Sequence, residues 1–225
     1  MQQLALQIQP PIPPTLDNFV CGRNAEALAA LRTLASHPHA EGLIYVWGPT
    51  GCGKSHLLLG LQTALRSNAH VNLQWIDALH EATQVKPEAS SVIVDNVHRA
   101  SPVLAESIFH AWNRIKEQGG QLVCAGDCPP AQLALAPELY SRLAWGQVYR
   151  LQSLDDQEKW DAMKLKATMS AIPITDEAIS YLMMHTARDL PSLMHRLEQL
   201  DTLSLSSKRP ITVPLVRAYL ASANT

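Results

Sequence analysis

The chain has 225 residues, of which 47% are hydrophobic and 17% are charged, and its formal net charge is −2. This length and composition predict a compact, ordered protein with one large domain, or one medium domain and a small satellite. The slightly acidic balance argues against a dedicated surface for duplex DNA, which usually needs an excess of basic residues. It leaves room for a local basic patch.

Cysteine usage and the absence of targeting signals indicate a cytosolic protein. Cys21, Cys52, Cys124 and Cys128 form no Cys-x-x-Cys motif and no histidine pairing at zinc spacing, so reduced thiols are expected. The chain shows no signal-peptide pattern, and no apolar segment approaches the length of about twenty residues that a membrane span needs. We therefore expect a cytoplasmic protein that is neither exported nor membrane-spanning.

The chain opens with a short apolar segment, followed by a stiff proline-rich spacer at residues 10–14. The segment resembles the peptide with which bacterial replication proteins dock into the groove of the DNA sliding clamp. Apolar side chains would fill pockets, and a glutamine would anchor the peptide through hydrogen bonds. The alternative is an unstructured start, because such short peptides are common by chance. The residues that carry the resemblance are Gln3, Leu4, Leu6 and Ile8.

Phe19 and Val20 precede a helix that is predicted from Ala25 to about Ser36. The pair suits either a wall against a nucleotide base or a cap on the hydrophobic core, and the sequence favours neither.

The most specific motif is GPTGCGKS, residues 48–55, which follows a predicted strand from Leu43 to Trp47. It matches the phosphate-binding loop G-x-x-x-x-G-K-[ST], whose glycines let backbone N–H groups and a helix N-terminus face one anion. Lys54 would reach the β- and γ-phosphates, and the Ser55 hydroxyl would coordinate Mg²⁺. The predicted nucleotide-binding residues of this segment are Gly48, Thr50, Gly51, Cys52, Gly53, Lys54, Ser55 and His56.

Two later strands are predicted to end in acidic residues near that loop. The apolar run from Ser91 ends at Asp95, which fits the Walker B carboxylate that holds Mg²⁺, although such an aspartate can also simply cap a turn. Asn96 stands where a second acid often activates water; an amide can orient water but cannot accept its proton, so intrinsic hydrolysis should be slow. The strand from Gln121 leads to Asp127, whose side chain could touch the γ-phosphate.

Alternating strands and helices up to about residue 152 predict an α/β fold with a parallel sheet covered by helices on both faces. From Asp155 onward the pattern is entirely helical, and four helices are predicted. We assign residues 1–14 to a clamp-binding peptide and linker, 15–152 to a nucleotide-binding αβα domain and 153–225 to a small helical lid.

These motifs resemble the AAA+ class of P-loop proteins and, within it, the bacterial initiator DnaA and its smaller relatives. The resemblance extends to the run SRLAWG at residues 141–146, which is similar to a family box whose arginine serves as an arginine finger. It implies ADP or ATP with Mg²⁺ as cofactor, and it implies that Arg142 is presented to the γ-phosphate of a partner. The alternative for Arg142 is an ordinary surface arginine on a short helix.

Within the DnaA-related family, the clamp-like peptide and the lack of a helix-turn-helix domain imply a regulator rather than an initiator. Such a relative docks on the sliding clamp and stimulates hydrolysis of ATP bound to DnaA, which limits replication initiation. It would contact DNA only through the clamp, with at most weak ATPase activity of its own, and it could form a homo-oligomer. Pro191 stands where the family usually places a lid arginine beside the phosphates, and Arg188 lies three residues earlier. This departure favours a stable nucleotide-bound state, with ADP as the first candidate.

Two other interpretations stay open. An autonomous AAA+ ATPase, such as a helicase loader or a DNA-remodelling factor, would show intrinsic turnover that depends on Lys54; Asn96, Pro191 and the acidic balance count against it. A nucleotide-gated assembly protein would bind the clamp only to tether another partner.

Overall fold

The computed structural model describes residues 12–67, 71–80 and 84–223. The chain divides into two compact units, one from Pro14 to Ser153 and one that contains the residues from Leu154 onward. None of the helices in the described ranges has the length and the apolar character of a membrane-spanning helix.

The first unit is built on a parallel sheet. Within the described residues the sheet has five strands, in the order β2-β3-β4-β1-β5. The strands are β1 Gly42–Trp47, β2 Leu73–Asp77, β3 Ser91–Asp95, β4 Gln121–Gly126 and β5 Gln147–Arg150. The helices that accompany them are α1 Ala25–Ser36, α2 Lys54–Arg66, α3 Pro102–Gln118 and α4 Pro137–Trp145.

Successive side chains of a strand point to opposite faces of the sheet. Helices cover each face, so the inner strands are buried on both sides. In β1, Tyr45 belongs to the apolar cluster under α3 and α4, whereas Ile44 and Val46 belong to the cluster under α1 and α2. The edge strand β5 is mostly exposed. The predicted fold class, a helix-covered parallel sheet with a small C-terminal helical part, is confirmed.

The second unit is helical throughout its described part, with a single isolated β-bridge between Ile174 and Ile211. Its core consists of fully buried apolar residues, among them Met163, Leu182 and Leu197. The helices are α5 Asp156–Met169, α6 Asp176–His185, α7 Leu190–Ser207 and α8 Val213–Ala223.

Side chains cap the N-termini of α3, α5, α6 and α7. Ser101, Asp155, Thr175 and Asp189 each accept a hydrogen bond from a backbone N–H in the first turn of α3, α5, α6 and α7. Asp155 and Glu158 form a reciprocal capping box. Caps of this kind are local in sequence, so the capping residue indicates where its helix begins.

Candidate nucleotide-binding site

The loop between β1 and α2 has a backbone that only glycine adopts without strain. Gly53, which caps α2, has a φ of +98°, and a Cβ atom there would lie 2.7 Å from the ring of Phe19. Phe19 therefore packs against the loop, and Val20, the next residue, is half-buried. The structure thus brings the predicted base-wall segment to the predicted phosphate loop.

Lys54 folds back over this loop. Its Nζ donates hydrogen bonds to the carbonyl oxygens of Gly48, at 2.7 Å, and Pro49, at 3.0 Å. The Cys52 side chain is buried, and burial raises the pKa of its thiol, so it acts as a packing group in the loop. The backbone N–H of Cys52 donates to the Pro49 carbonyl at 3.3 Å, which keeps the loop curled.

Ser55 and Asp95 meet at the carboxyl edge of the sheet. The Ser55 hydroxyl donates to Oδ2 of Asp95 at 2.5 Å, and Asp95 is only 3% exposed. Among the described residues, no group of three or more His, Cys, Asp or Glu side chains could hold a metal ion. Mg²⁺ suits the Ser55–Asp95 pair nevertheless, since it usually takes one or two protein oxygens and completes its shell with phosphate and water. Bound there, Mg²⁺ would neutralise charge on the β- and γ-phosphates.

Asn96 has a partner that the sequence interpretation missed. Its Nδ2 donates to Oδ1 of Asp77, at the end of β2, over 3.0 Å. Its own backbone N–H donates to Oδ1 of Asp95 at 2.8 Å. The residue in the position of the second acid is thus tied to both neighbouring carboxylates.

Asp127 follows β4, the strand between β1 and β3, and is 52% exposed. Its Oδ2 lies 3.5 Å from Nε2 of His98, a second residue that the motif analysis overlooked. The His98 ring is largely buried, and burial lowers the pKa of the imidazole. Its Nδ1 has no hydrogen-bond partner among the described residues. The only sequence signal for His98 was its place three residues after Asp95.

His56 lies beside the segment that precedes α1. Its Nε2 is 3.1 Å from the carbonyl oxygen of Thr15 and 2.8 Å from Oδ1 of Asn18. Since both partners are acceptors, Nε2 carries the proton. The ring also meets Phe19 edge-on, with 5.5 Å between centroids. The imidazole of His56 thus anchors the Phe19 segment, and its predicted contact with nucleotide stays a prediction.

Arg142 lies in an aromatic cluster that α3 and α4 form. Its guanidinium carbon is 4.7 Å from the ring centre of Trp112, 5.1 Å from that of Trp145 and 5.7 Å from that of Phe109. The Nε atom is buried, and no residue in the described ranges forms a hydrogen bond with it. Lys116 stacks on the same two tryptophans, at 5.3 and 5.5 Å. Trp145 is 66% exposed, so the cluster reaches the surface.

Arg142, on α4, lies near the edge of the sheet where the strands begin. It lines a small cavity together with Leu43, Ile44 and Leu122, residues near the starts of β1 and β4. Gly146 allows this approach, because a Cβ at that position would lie 2.4 Å from the Leu43 carbonyl oxygen. The phosphate loop follows the opposite end of β1, roughly 15 Å away at about 3.3 Å per residue. Arg142 therefore lies far from the phosphate loop of its own chain.

In the helical unit, Arg188 donates to Oδ2 of Asp156 at 3.2 Å. Pro191 lies in the first turn of α7, where its missing N–H costs no hydrogen bond. The predicted clamp-binding residues Gln3, Leu4, Leu6 and Ile8 lie outside the described residues, and their role stays a prediction.

Comparison with known proteins identifies relatives of both units. Residues 156–220 match the family model described as the lid domain of Hda. The whole chain is similar to domain III of the replication initiation protein DnaA from Thermotoga maritima, with a TM-score of 0.82 at 19% identity over 95% of this chain and 98% of that one. AMPPCP-bound DnaA from Aquifex aeolicus gives a TM-score of 0.71 at 20% identity, over 83% of this chain and 64% of that one.

The Holliday junction branch migration motor RuvB of Thermotoga maritima is also similar, with a TM-score of 0.70 at 16% identity over 93% of this chain and 72% of that one. At these identities the structural likenesses establish the fold, which is that of the AAA+ class. Together with the match to the Hda lid, they confirm the resemblance to DnaA-related AAA+ proteins.

Proposed function

We propose that this chain is a nucleotide-held AAA+ adaptor that docks on the DNA sliding clamp and stimulates ATP hydrolysis by DnaA, which lowers the frequency of replication initiation. ADP or ATP with Mg²⁺ binds at the loop formed by residues 48–55. Arg142 serves as the arginine finger for the ATP held by DnaA.

The nucleotide part of this proposal is supported by the contact between Ser55 and Asp95. The loop backbone, Lys54 and this pair supply the parts that bind phosphates and Mg²⁺ in P-loop proteins. The residue that follows the Walker aspartate is Asn96, whose amide donates a hydrogen bond to Asp77. An amide cannot take a proton from water. This site is therefore suited to hold a nucleotide rather than to turn it over quickly.

The position of Arg142 carries the proposal that the chain acts on another protein. The guanidinium lies at the sheet edge opposite the phosphate loop of its own chain, at a surface formed by α3 and α4. Aromatic rings on several sides hold a cation in place by cation–π attraction and reduce the entropy lost when it docks. A guanidinium that is held in this way can stabilise the charge that develops on a transferred phosphoryl group.

Replacement of Arg142 tests this function. We expect Arg142→Ala to reduce the stimulation of DnaA-bound ATP hydrolysis by a factor on the order of 10³, the range in which arginine fingers act. The measurement is single-turnover hydrolysis of ATP on DnaA, with clamp loaded on DNA and increasing amounts of the chain.

Lys116→Ala is the matched control, because it removes the other cation from the same two tryptophans. We expect this variant to keep most of the stimulation. Circular dichroism and ADP binding verify that both variants are folded. Full stimulation by a folded Arg142→Ala variant would refute the assignment.

Clamp docking through residues 3–8 is the part of the proposal that confines this activity to clamp-loaded DNA. Three apolar side chains, Leu4, Leu6 and Ile8, would enter the clamp groove, and the proline-rich residues 10–14 would hold the peptide away from the nucleotide-binding unit. DNA would then be met through the clamp, in agreement with the net charge of −2.

A further inference from the structure

We infer that Asp77 is a positioning residue that fixes the side chain at position 96 and excludes a second catalytic acid from the nucleotide site. The inference rests on the proposed nucleotide site, because position 96 directly follows Asp95. It adds to that proposal a structural reason for the amide at this position.

Strand register brings Asp77 to position 96. In the parallel pair of β2 and β3, Asp77 is the register partner of Asp95, the last residue of β3. The Ala78 N–H donates to the Asp95 carbonyl at 3.1 Å, which extends the pairing beyond both strand ends. Side chains that leave the two strand ends therefore meet.

The chemistry of the partners fixes the direction of the Asp77–Asn96 hydrogen bond. An ionised carboxylate only accepts hydrogen bonds, and Oδ1 of Asp77 accepts from Nδ2 of Asn96 and from the backbone N–H of Leu79, each at 3.0 Å. The NH₂ group of Asn96 must therefore face Asp77. The amide oxygen is turned away from the carboxylate, and the amide plane is set by Asp77.

The backbone of Asn96 reinforces this arrangement. Its φ is +55°, in the left-handed region that asparagine and aspartate tolerate better than other residues with a side chain. Its N–H also donates to Oδ1 of Asp95 at 2.8 Å. Backbone and side chain are thus both held by carboxylates at the ends of neighbouring strands.

An acid at position 96 is incompatible with this environment. It would replace the donor NH₂ group with a carboxylate oxygen about 3 Å from Asp77, so that an attraction becomes a repulsion between like charges. The Asn96 amide therefore matches Asp77. A chain that keeps Asp77 gains a second acid at position 96 only with a loss of stability.

Exchange of Asp77 and Asn96 distinguishes repulsion between two carboxylates from other effects of the substitutions. We expect Asn96→Asp to unfold at a lower urea concentration than the wild type. Asp77→Asn should stay close to the wild type, because the new amide oxygen can still accept from Nδ2 of Asn96. The double variant Asp77→Asn, Asn96→Asp should recover part of the loss. The repulsion between two like charges is gone, although an NH₂ group of residue 77 that donates to the new carboxylate at position 96 no longer accepts the Leu79 N–H.

Hydrolysis provides the second measurement. Single-turnover ATP hydrolysis by the full-length chain alone should stay slow in the wild type and in both single variants. It should rise at least about tenfold in the double variant, in which an unopposed carboxylate stands next to the Walker aspartate. Asp127→Asn is the control for a general loss of negative charge at this edge, since Asp127 pairs with His98. The double variant Asp127→Asn, Asn96→Asp should unfold at the same low urea concentration as Asn96→Asp alone.

An Asn96→Asp variant that unfolds at the wild-type urea concentration would overturn the inference. So would a double variant that hydrolyses ATP no faster than Asn96→Asp. Failure of the wild type to bind ADP or ATP would instead refute the proposed nucleotide site, and the urea experiment would still decide whether Asp77 and position 96 interact.

Discussion

At the scale of single residues, the candidate site consists of polar pairs at the carboxyl edge of the sheet. The hydroxyl of Ser55 is paired with Asp95, and the amide of Asn96 with Asp77. The first pair joins the start of α2 to the end of β3, and the second joins the ends of β2 and β3. The chemistry of the site therefore depends on the parallel register as well as on the motifs.

His98 gives a pH-dependent prediction. Burial lowers the pKa of its imidazole below the ordinary value of 6.5, although Asp127 favours the charged form. As the pH falls below 6.5, the unfolded chain protonates this histidine before the folded chain does, so the folded state loses stability until the lowered pKa is passed. We expect His98→Gln to flatten the decline in the free energy of unfolding between about pH 7 and pH 5. Urea denaturation at several pH values measures the free energy of unfolding of the wild type and of His98→Gln. The same decline with pH in both proteins would contradict the prediction.

The sequence alone was enough to select candidate residues that lie in contiguous motifs, and their roles in binding nucleotide stay predictions. Lys54 and Ser55 are adjacent in the phosphate loop, and Asp95 ends an apolar run. Asp77 could not be found in this way, because its contact with Asn96 spans 19 positions and depends on the register of two strands. Its only signal was its place at the end of the run NLQWID, residues 72–77, which alternates like a strand. That place does not distinguish it from other strand-terminal aspartates.

At the scale of secondary structure elements, capping residues indicate where a helix begins, but the sequence of one helix does not show which side chains of another helix it contacts. A cap acts within one turn, so a residue such as Ser101 or Thr175 marks the start of α3 or α6 in the sequence itself. The aromatic cluster around Arg142 combines side chains from α3 and α4, and neither helix pattern alone reveals it. The sequence thus identified Arg142 only through a family resemblance, whereas the structure gives its surroundings.

The cap of α6 provides a prediction for the helical unit. The Thr175 side chain accepts a hydrogen bond from the Ala178 N–H at 3.3 Å. Thr175→Ala should cost about 1 kcal/mol of local stability, because it leaves this N–H without its side-chain acceptor. Hydrogen exchange of the amides in α6 should then be about fivefold faster. Thr175→Ser keeps the acceptor and should exchange nearly as the wild type does; equal exchange in wild type and Thr175→Ala would show that the cap adds nothing.

At the scale of the whole molecule, the chain has one unit with a phosphate-loop motif and one helical unit, which matches the lid of Hda. The change from alternating to purely helical patterns near residue 152 predicts a domain boundary there, because composition and periodicity change together. The role of the first residues could not be tested in the same way, since residues 1–11 lie outside the described part. We propose that the chain acts on the ATP of DnaA, from the clamp, rather than on its own nucleotide.

The most direct test is single-turnover hydrolysis of labelled ATP preloaded on DnaA, in the presence of clamp-loaded DNA. The wild-type chain should accelerate conversion of the label to ADP by orders of magnitude. A chain without residues 1–9 should not, although it binds ADP as the wild type does. The account is contradicted if DnaA-bound ATP decays at the same rate with and without the wild-type chain, while the chain alone hydrolyses free ATP in a reaction that Lys54→Ala abolishes.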